Sequence, residues 1–138
     1  MSGYLLDTTI ASHVIRGDRP AISQRLATLP MAEIAISSVT QGELLYGLGK
    51  RNYPAALTRR VREFLLRVDV LPWDHEVAQA YADLRAGCEA SGVSLAPLDM
   101  MIAAQAVAAD AVLVTNDKAF ARLPEPLRME SWDSLGLS

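Results

Sequence analysis

The sequence has little of what secreted, membrane-spanning or nucleic-acid-coating proteins need. Its one cysteine, Cys88, can form neither an internal disulfide nor a cysteine-ligated metal cluster. No apolar run approaches the roughly 18 to 20 residues that cross a bilayer, and no basic region followed by a hydrophobic segment opens the chain. The net charge of −3 argues against coating of nucleic acid by bulk electrostatics. We therefore expect a cytoplasmic protein without membrane contact, in which any metal is held mainly by oxygen.

The composition that remains is typical of one globular domain over residues 1–138. The chain has 138 residues, of which 51% are hydrophobic, enough for one sizeable core. Apolar runs alternate with helical patterns, which predicts an α/β fold. Strands are expected at 4–6, 33–37, 68–71, 111–114 and near 128–132. Helices are expected at 9–16, 20–29, 39–48, 54–66, 75–90 and 99–109, with a short one at 118–123.

Four acidic residues lie where one predicted element ends and the next begins. Asp7 follows the first strand, Glu43 lies in the first turns of a helix, Asp99 opens a helix and Asp117 follows the strand at 111–114. Loops beyond the carboxyl ends of parallel strands meet at one edge of the sheet, where ligands bind. We therefore expect these carboxylates to converge.

Each acid also has an ordinary structural explanation. Asp7 and Asp99 fit helix caps, the Thr-x-x-Glu pattern that ends at Glu43 fits a capping box, and Asp117 fits a turn. Converging carboxylates would repel one another by roughly 1 to 4 kcal/mol per close pair unless a cation neutralised them. An oxygen-only ligand set suits Mg²⁺ or Mn²⁺, and both ions act on phosphate substrates.

Basic residues are concentrated in one segment of an otherwise acidic chain. Between positions 50 and 67 the only acid is Glu63, among Lys50, Arg51, Arg59, Arg60, Arg62 and Arg67. A solvated helix face would explain this segment. The functional alternative is that Arg59, Arg60 and Arg62 contact a phosphate backbone.

Four motifs together resemble those of a known family. They are YLLDTT at 4–9, ISSVTQGELLYGL at 36–48, LDMMIAAQA at 98–106 and LVTNDKAF at 113–120. In this order and spacing, over essentially the whole chain, they resemble the PIN-domain ribonucleases, in particular the VapC-type toxins of bacterial toxin–antitoxin pairs.

The resemblance implies a fold, a site and partners. The expected fold is a three-layer α/β/α domain with a mainly parallel sheet of about five short strands. The implied Mg²⁺ (or Mn²⁺) site consists of Asp7, Glu43, Asp99 and Asp117, with Thr8, Thr115 and Asn116 orienting them. The implied activity is endoribonuclease cleavage by a metal-activated water. The implied partners are RNA, a VapB-type antitoxin and a second copy of the chain in the toxin–antitoxin complex.

The chain departs from the family pattern at two positions. Thr9 stands where many relatives have Asn or Ser, and its hydroxyl can still orient a carboxylate. Ala119 stands where many relatives have an acid before the Phe of the last motif, here Phe120. Asp117 can accordingly ligate the metal directly, bind it through water or only cap the short helix.

Two other functions are considered beside the nuclease. A phosphatase of the haloacid-dehalogenase kind also begins with a strand ending in Asp, but it needs a second Asp where this chain has Thr9. A non-catalytic module could keep the fold and act only through a protein partner. In either case helix 39–48 offers a surface for a protein partner, because Leu44, Leu45, Tyr46 and Leu48 occupy consecutive directions rather than one stripe. One face can enter the core, so another must be exposed or covered.

Overall fold

The computed structural model describes residues 3–124 and 127–133, and in these ranges the chain forms one parallel sheet flanked by helices. The strands are β1 (Tyr4–Leu6), β2 (Ile34–Ser37), β3 (Asp69–Leu71), β4 (Val112–Val114) and β5 (Met129–Glu130). The helices are α1 (Thr8–Arg16), α2 (Pro20–Ala27), α3 (Ser38–Lys50), α4 (Ala55–Arg67), α5 (His75–Ser91) and α6 (Pro97–Ala109). Short 3-10 helices occupy Met31–Glu33 and Lys118–Arg122.

The sheet buries both of its faces, which makes the fold three-layered. On β1, Leu6 packs into a core cluster with α1 to α4, whereas Leu5 packs into a second cluster with α5 and α6. Successive strand residues point to opposite faces, so short apolar strands serve both clusters. This confirms the predicted α/β/α architecture and its five short parallel strands.

The strand order β3-β2-β1-β4-β5 places the candidate site at a topological switch point. From β1 the chain moves outward to β2 and β3, and then returns to place β4 on the other side of β1. Ligands of open α/β sheets usually bind in the crevice at the carboxyl ends of the strands, at the point where the strand order reverses. The backbone N–H of Asp7 donates to the carbonyl of Val114 over 3.1 Å, which joins the ends of β1 and β4.

The starts of α1, α3, α4 and α6 differ from the sequence prediction by one or two residues, and those of α3 and α6 concern the candidate acids. Helix α3 begins at Ser38, because Ser37 Oγ accepts from the backbone N–H of Val39 over 3.1 Å. The predicted capping box ending at Glu43 is therefore wrong. Helix α6 begins at Pro97 with Ala96 at the cap position, so Asp99 lies within the first turn. Proline at the first helical position loses no intrahelical hydrogen bond, which explains the earlier start.

The connection between α3 and α4 has an uncommon backbone. Asn52 and Tyr53 have φ angles of +60° and +54°, in the left-handed region that costs a non-glycine residue roughly 1 kcal/mol or more. The N–H of Tyr53 donates to the carbonyl of Leu48 over 2.9 Å, so the turn satisfies one group at the end of α3.

No helix in residues 3–124 and 127–133 has the length and apolar character required to cross a membrane.

Candidate active site

Asp7 lies at the end of β1 and is fixed by two hydrogen bonds. Its Oδ1 accepts from the backbone N–H of Ile10 over 2.8 Å, which makes it the N-cap of α1. Its Oδ2 accepts from Thr115 Oγ1 over 2.5 Å, and the residue is only 6% exposed. The cap explanation is therefore correct for this residue, and its second carboxylate oxygen is held by Thr115. Thr115 orients the carboxylate as the sequence predicted.

Glu43 lies in the second turn of α3, opposite the first turn of α1. Thr8 Oγ1 donates to Glu43 Oε1 over 2.5 Å and lies 3.0 Å from Thr40 Oγ1. The sequence predicted Thr8 as an orienting residue but missed Thr40. The available signal was that Thr40 precedes Glu43 by three positions and so shares its side of the helix.

Asp117 begins the short helix after β4, and its neighbour Asn116 points elsewhere. Asp117 Oδ1 accepts from the N–H of Ala119 over 2.9 Å, and its own N–H donates to Thr115 Oγ1 over 3.0 Å. Thr115 therefore connects the loop of Asp117 to Asp7. Asn116 Oδ1 instead accepts from Ser131 over 2.6 Å. Within the described part of the chain it bonds to no acid of the site, contrary to its predicted orienting role.

The four acids are electrostatically coupled. Burial raises the pKa of Asp7, hydrogen bonds from Thr115 and Ile10 partly oppose this, and the charges of Asp117 and Glu43 raise the pKa further. Burial also raises the pKa of Asp99, which is half-buried, and the charges of the other three acids add to the effect. The fold thus gathers four carboxylates at one edge of the sheet, as the sequence predicted.

The donor chemistry fits a hard divalent cation, although the side chains stand apart. Within residues 3–124 and 127–133, no three acidic, histidine or cysteine side chains are close enough together to hold an ion as placed. Charge coupling extends over about 10 Å, whereas ligands of one Mg²⁺ lie roughly 3 to 4 Å apart. The acids therefore lie close enough to raise the pKa values of Asp7 and Asp99, but too far apart to hold one ion as placed. Its oxygen-only donors suit Mg²⁺ or Mn²⁺.

A groove of about 330 Å³ runs from this cluster between α1 and α3. Two rows of residues with four-residue spacing form its walls: Thr8, Ser12 and Arg16 on α1, and Glu43 and Gly47 on α3 with Arg51 directly after it. Eight residues of helix span about 12 Å, so the groove has an acidic end at Glu43 and a basic end about 12 Å away. The sequence analysis did not predict these two rows, although their four-residue spacing is visible in the sequence.

The predicted partner surface on α3 is divided between two faces. Leu44 and Leu48 belong to the core and are 9% and 2% exposed, and they form part of the groove floor. Leu45 is 38% exposed and does not line the groove. The expectation that one side of this helix enters the core is confirmed. The three leucines do not form the single docking surface that was predicted.

The raised pKa values predict that Asp7 and Asp99 reduce the stability of the metal-free protein as pH rises. Above the ordinary pKa of 3.8, the unfolded state releases protons that Asp7 and Asp99 retain in the fold. The folded state then binds more protons, so these two groups lower the free energy of unfolding as pH rises through their folded pKa values. In chelator, Asp7→Asn should flatten the dependence of Tm on pH, measured from about pH 4 upward. The exposed Asp69→Asn is the control, and an unchanged slope in Asp7→Asn would contradict the assignment.

Comparison with known proteins identifies the class to which this geometry belongs. A family model described as the PIN domain matches residues 4–126. Ribonuclease VapC2 of Rickettsia felis is 33% identical over 132 residues, covering 94% of this chain and 98% of its own length. The tRNA(fMet)-specific endonuclease VapC of Shigella flexneri is 33% identical over 132 residues, covering 96% and 99%.

A solved structure agrees with these sequence matches. The DNA-bound VapBC of Salmonella typhimurium matches with a TM-score of 0.87 and 32% identity, over 96% of this chain and 99% of that one. The chain belongs to the PIN-domain family. Its relatives place it, more narrowly, with the VapC-type ribonucleases, which confirms the resemblance drawn from the four motifs.

Proposed function

We propose that the protein is a metal-dependent endoribonuclease and the toxin of a toxin–antitoxin pair, which hydrolyses RNA phosphodiester bonds. The observation that carries this proposal is the set of four coupled carboxylates at the switch point of the sheet. Asp7 and Asp99 have raised pKa values because burial and neighbouring acids disfavour their charge. A divalent cation would stabilise the charged form of these carboxylates.

Each acid has a proposed role in holding Mg²⁺ or Mn²⁺. Asp7 and Asp99 would be the principal ligands, with Glu43 and Asp117 completing the set directly or through water. When bound, the ion would make a coordinated water more acidic and offset negative charge in the transition state. Thr115 holds Asp7, and Thr8 occupies Glu43 Oε1. Glu43 Oε2 would then remain available to complete the metal's shell or to position the attacking water.

The groove supports a cognate VapB-type antitoxin as the partner. The Salmonella neighbour was solved as a VapBC complex. An apolar floor that includes Leu44 and Leu48 would receive the apolar face of a partner helix, while Glu43 would receive a basic side chain. Occupation of that end would compete with metal or substrate. Toxin dimers in the complex remain part of this proposal.

The substrate is proposed to be RNA held partly through its phosphates. Arg59, Arg60 and Arg62 are exposed on α4, whose buried residues Val61 and Phe64 face the core. Exposed arginines on one short segment can follow a phosphate backbone despite the negative net charge.

A Mn²⁺ titration tests the proposal against the non-catalytic module. We expect saturable Mn²⁺ binding by the wild-type chain in isothermal titration calorimetry, and strongly weakened binding by Asp99→Asn. The Asp69→Asn chain, changed at an exposed acid of β3, should bind like wild type. If the wild-type chain binds no more Mn²⁺ than the Asp99→Asn chain does, the result would support the non-catalytic binding module instead.

A further inference from the structure

Two exposed tyrosines and a lysine lie on α3 and in the turn that follows it, and none of the three lines the groove. Tyr46 is 68% exposed and Tyr53 is 60% exposed, and the Lys50 ammonium lies 5.9 Å from the centre of the Tyr46 ring. We call Tyr46, Lys50 and Tyr53 the tyrosine face. Glu43, Tyr46 and Lys50 are spaced by three and four residues, so they share one side of the helix. The tyrosine face therefore begins about one turn from the carboxylate cluster.

Tyr53 is held at this surface by the backbone. It follows Asn52 in two consecutive left-handed conformations, and its N–H donates to the carbonyl of Leu48. Its ring lies over Gly49, where an added Cβ would be 3.3 Å from the Tyr53 hydroxyl oxygen. A large side chain is thus kept in an unfavourable conformation while most of its surface stays in water. Strain of this kind collects at functional sites, and here it accompanies an aromatic side chain fixed at the surface.

The chemistry of the tyrosine face matches unpaired nucleotides. Single-stranded RNA is bound by stacking bases on exposed aromatic rings beside cationic groups that meet the phosphates. Lys50 supplies such a cation beside the Tyr46 ring. An apolar protein partner already has a better site, because the groove lies along the side of α3 that carries Gly47 and Leu48.

We propose that Tyr46 and Tyr53 stack bases of the RNA beside the phosphodiester that is cut, with Lys50 contacting a phosphate. This inference rests on the proposed ribonuclease function and adds to it two residues that bind the bases beside the cleaved bond. The tyrosines are binding residues that set substrate preference. They lie outside the carboxylate cluster and take no part in bond cleavage.

The test is RNA binding in chelator, where metal-dependent cleavage is absent. The probe is a fluorescein-labelled single-stranded RNA 12-mer of mixed sequence, followed by anisotropy at several salt concentrations. Tyr46→Leu and Tyr53→Leu should each weaken binding roughly 5- to 100-fold without changing the salt dependence. Tyr46→Phe and Tyr53→Phe should bind like wild type, because the ring remains. Leu66→Ala, at an exposed apolar residue of α4, is the matched control.

Charge variants separate phosphate binding from stacking in the same assay. Lys50→Ala should lower the slope of log K against log salt by about one. Charge reversal at Arg59, Arg60 and Arg62 should lower that slope by about one for each phosphate that the variant no longer binds. Neither set removes an aromatic ring. Stacking and phosphate binding are therefore measured by different quantities.

Three results would overturn the proposal. They are wild-type affinity in the leucine variants, equal losses in the phenylalanine variants, or no RNA binding by the wild-type chain. Leucine variants that keep wild-type affinity but elute as a smaller species would assign the face to contact between copies of the chain. A wild-type chain that binds RNA through these tyrosines but never cuts it would contradict the ribonuclease function and leave the stacking site standing.

Discussion

Replacing Asp7 or Asp99 by asparagine is expected to lower the rate of RNA cleavage by at least about 100-fold while the protein stays folded. Asparagine keeps the shape of the side chain but removes the negative charge that would hold the cation. At position 7 it also keeps an oxygen for the N–H of Ile10, and asparagine caps helices as well as aspartate does. The measurement is the initial cleavage rate of a labelled RNA pool with Mn²⁺.

Thermal unfolding in chelator distinguishes loss of chemistry from loss of fold. Because burial and like charges raise the pKa of both residues, removing either charge should leave Tm equal or higher near neutral pH. Asp69→Asn, an exposed change in β3, should alter neither quantity. A folded Asp7→Asn or Asp99→Asn protein with wild-type cleavage would show that the carboxylate cluster is not the active site.

Filling the groove is expected to abolish neutralisation by the antitoxin. A Cβ at Gly47 would lie 3.6 Å from Arg51 Nη1, on the groove wall, so the side chain of Gly47→Leu would occupy space that the partner helix needs. Gly42→Leu is the matched control, since it lies on the same helix with nothing within 4 Å of its Cβ position. Both changes remove a helical glycine, so their effects on helix propensity are similar.

Growth and co-purification measure this effect. With the product of the adjacent small reading frame co-expressed, Gly42→Leu should be neutralised and co-purify with that product. Gly47→Leu should remain toxic and purify alone, provided that it still cuts RNA in vitro. Complete rescue of an active Gly47→Leu chain would exclude the groove as the docking site. Harmless expression of the wild-type chain alone, despite cleavage in vitro, would contradict the toxin function.

The leucines of α3 are less suitable positions for a docking test than Gly47. Leu44 and Leu48 are buried in the core, where removing a large apolar side chain costs about 2 to 5 kcal/mol. A polar change there would lose function by unfolding. Leu45 is exposed but lies off the groove, so its replacement would not report on docking.

Local sequence signals were sufficient for the order and type of the elements. Short apolar runs beside turn residues predicted the strands, and the α/β alternation followed from their spacing with helical patterns. Ser37 caps α3, as a serine directly before a helix commonly does. The start of α6 was misplaced because Asp99 was taken as its first residue, although Pro97 marks the first turn.

Features that depend on distant contacts were beyond sequence reasoning. The four motifs located the acids, and parallel-sheet topology predicted that they converge, but the spacing between their carboxylates depends on how α3 and α6 pack. The bond from Thr8 to Glu43 crosses 35 positions of sequence, and Thr40 joins it from the preceding turn of α3. The left-handed conformation of Tyr53 carries no composition signal, since it lies in a segment without glycine between Lys50 and Pro54.

Cleavage of a mixed RNA pool by the wild-type chain, with Mn²⁺ or Mg²⁺ and in parallel with chelator, tests the central claim most directly. The claim is that a cation held by four coupled carboxylates performs RNA hydrolysis. It predicts cleavage with either or both ions, none in chelator, and recovery when the ion is restored in excess. Equal cleavage in chelator by protein of verified purity, or no cleavage with any divalent ion supplied, would contradict it.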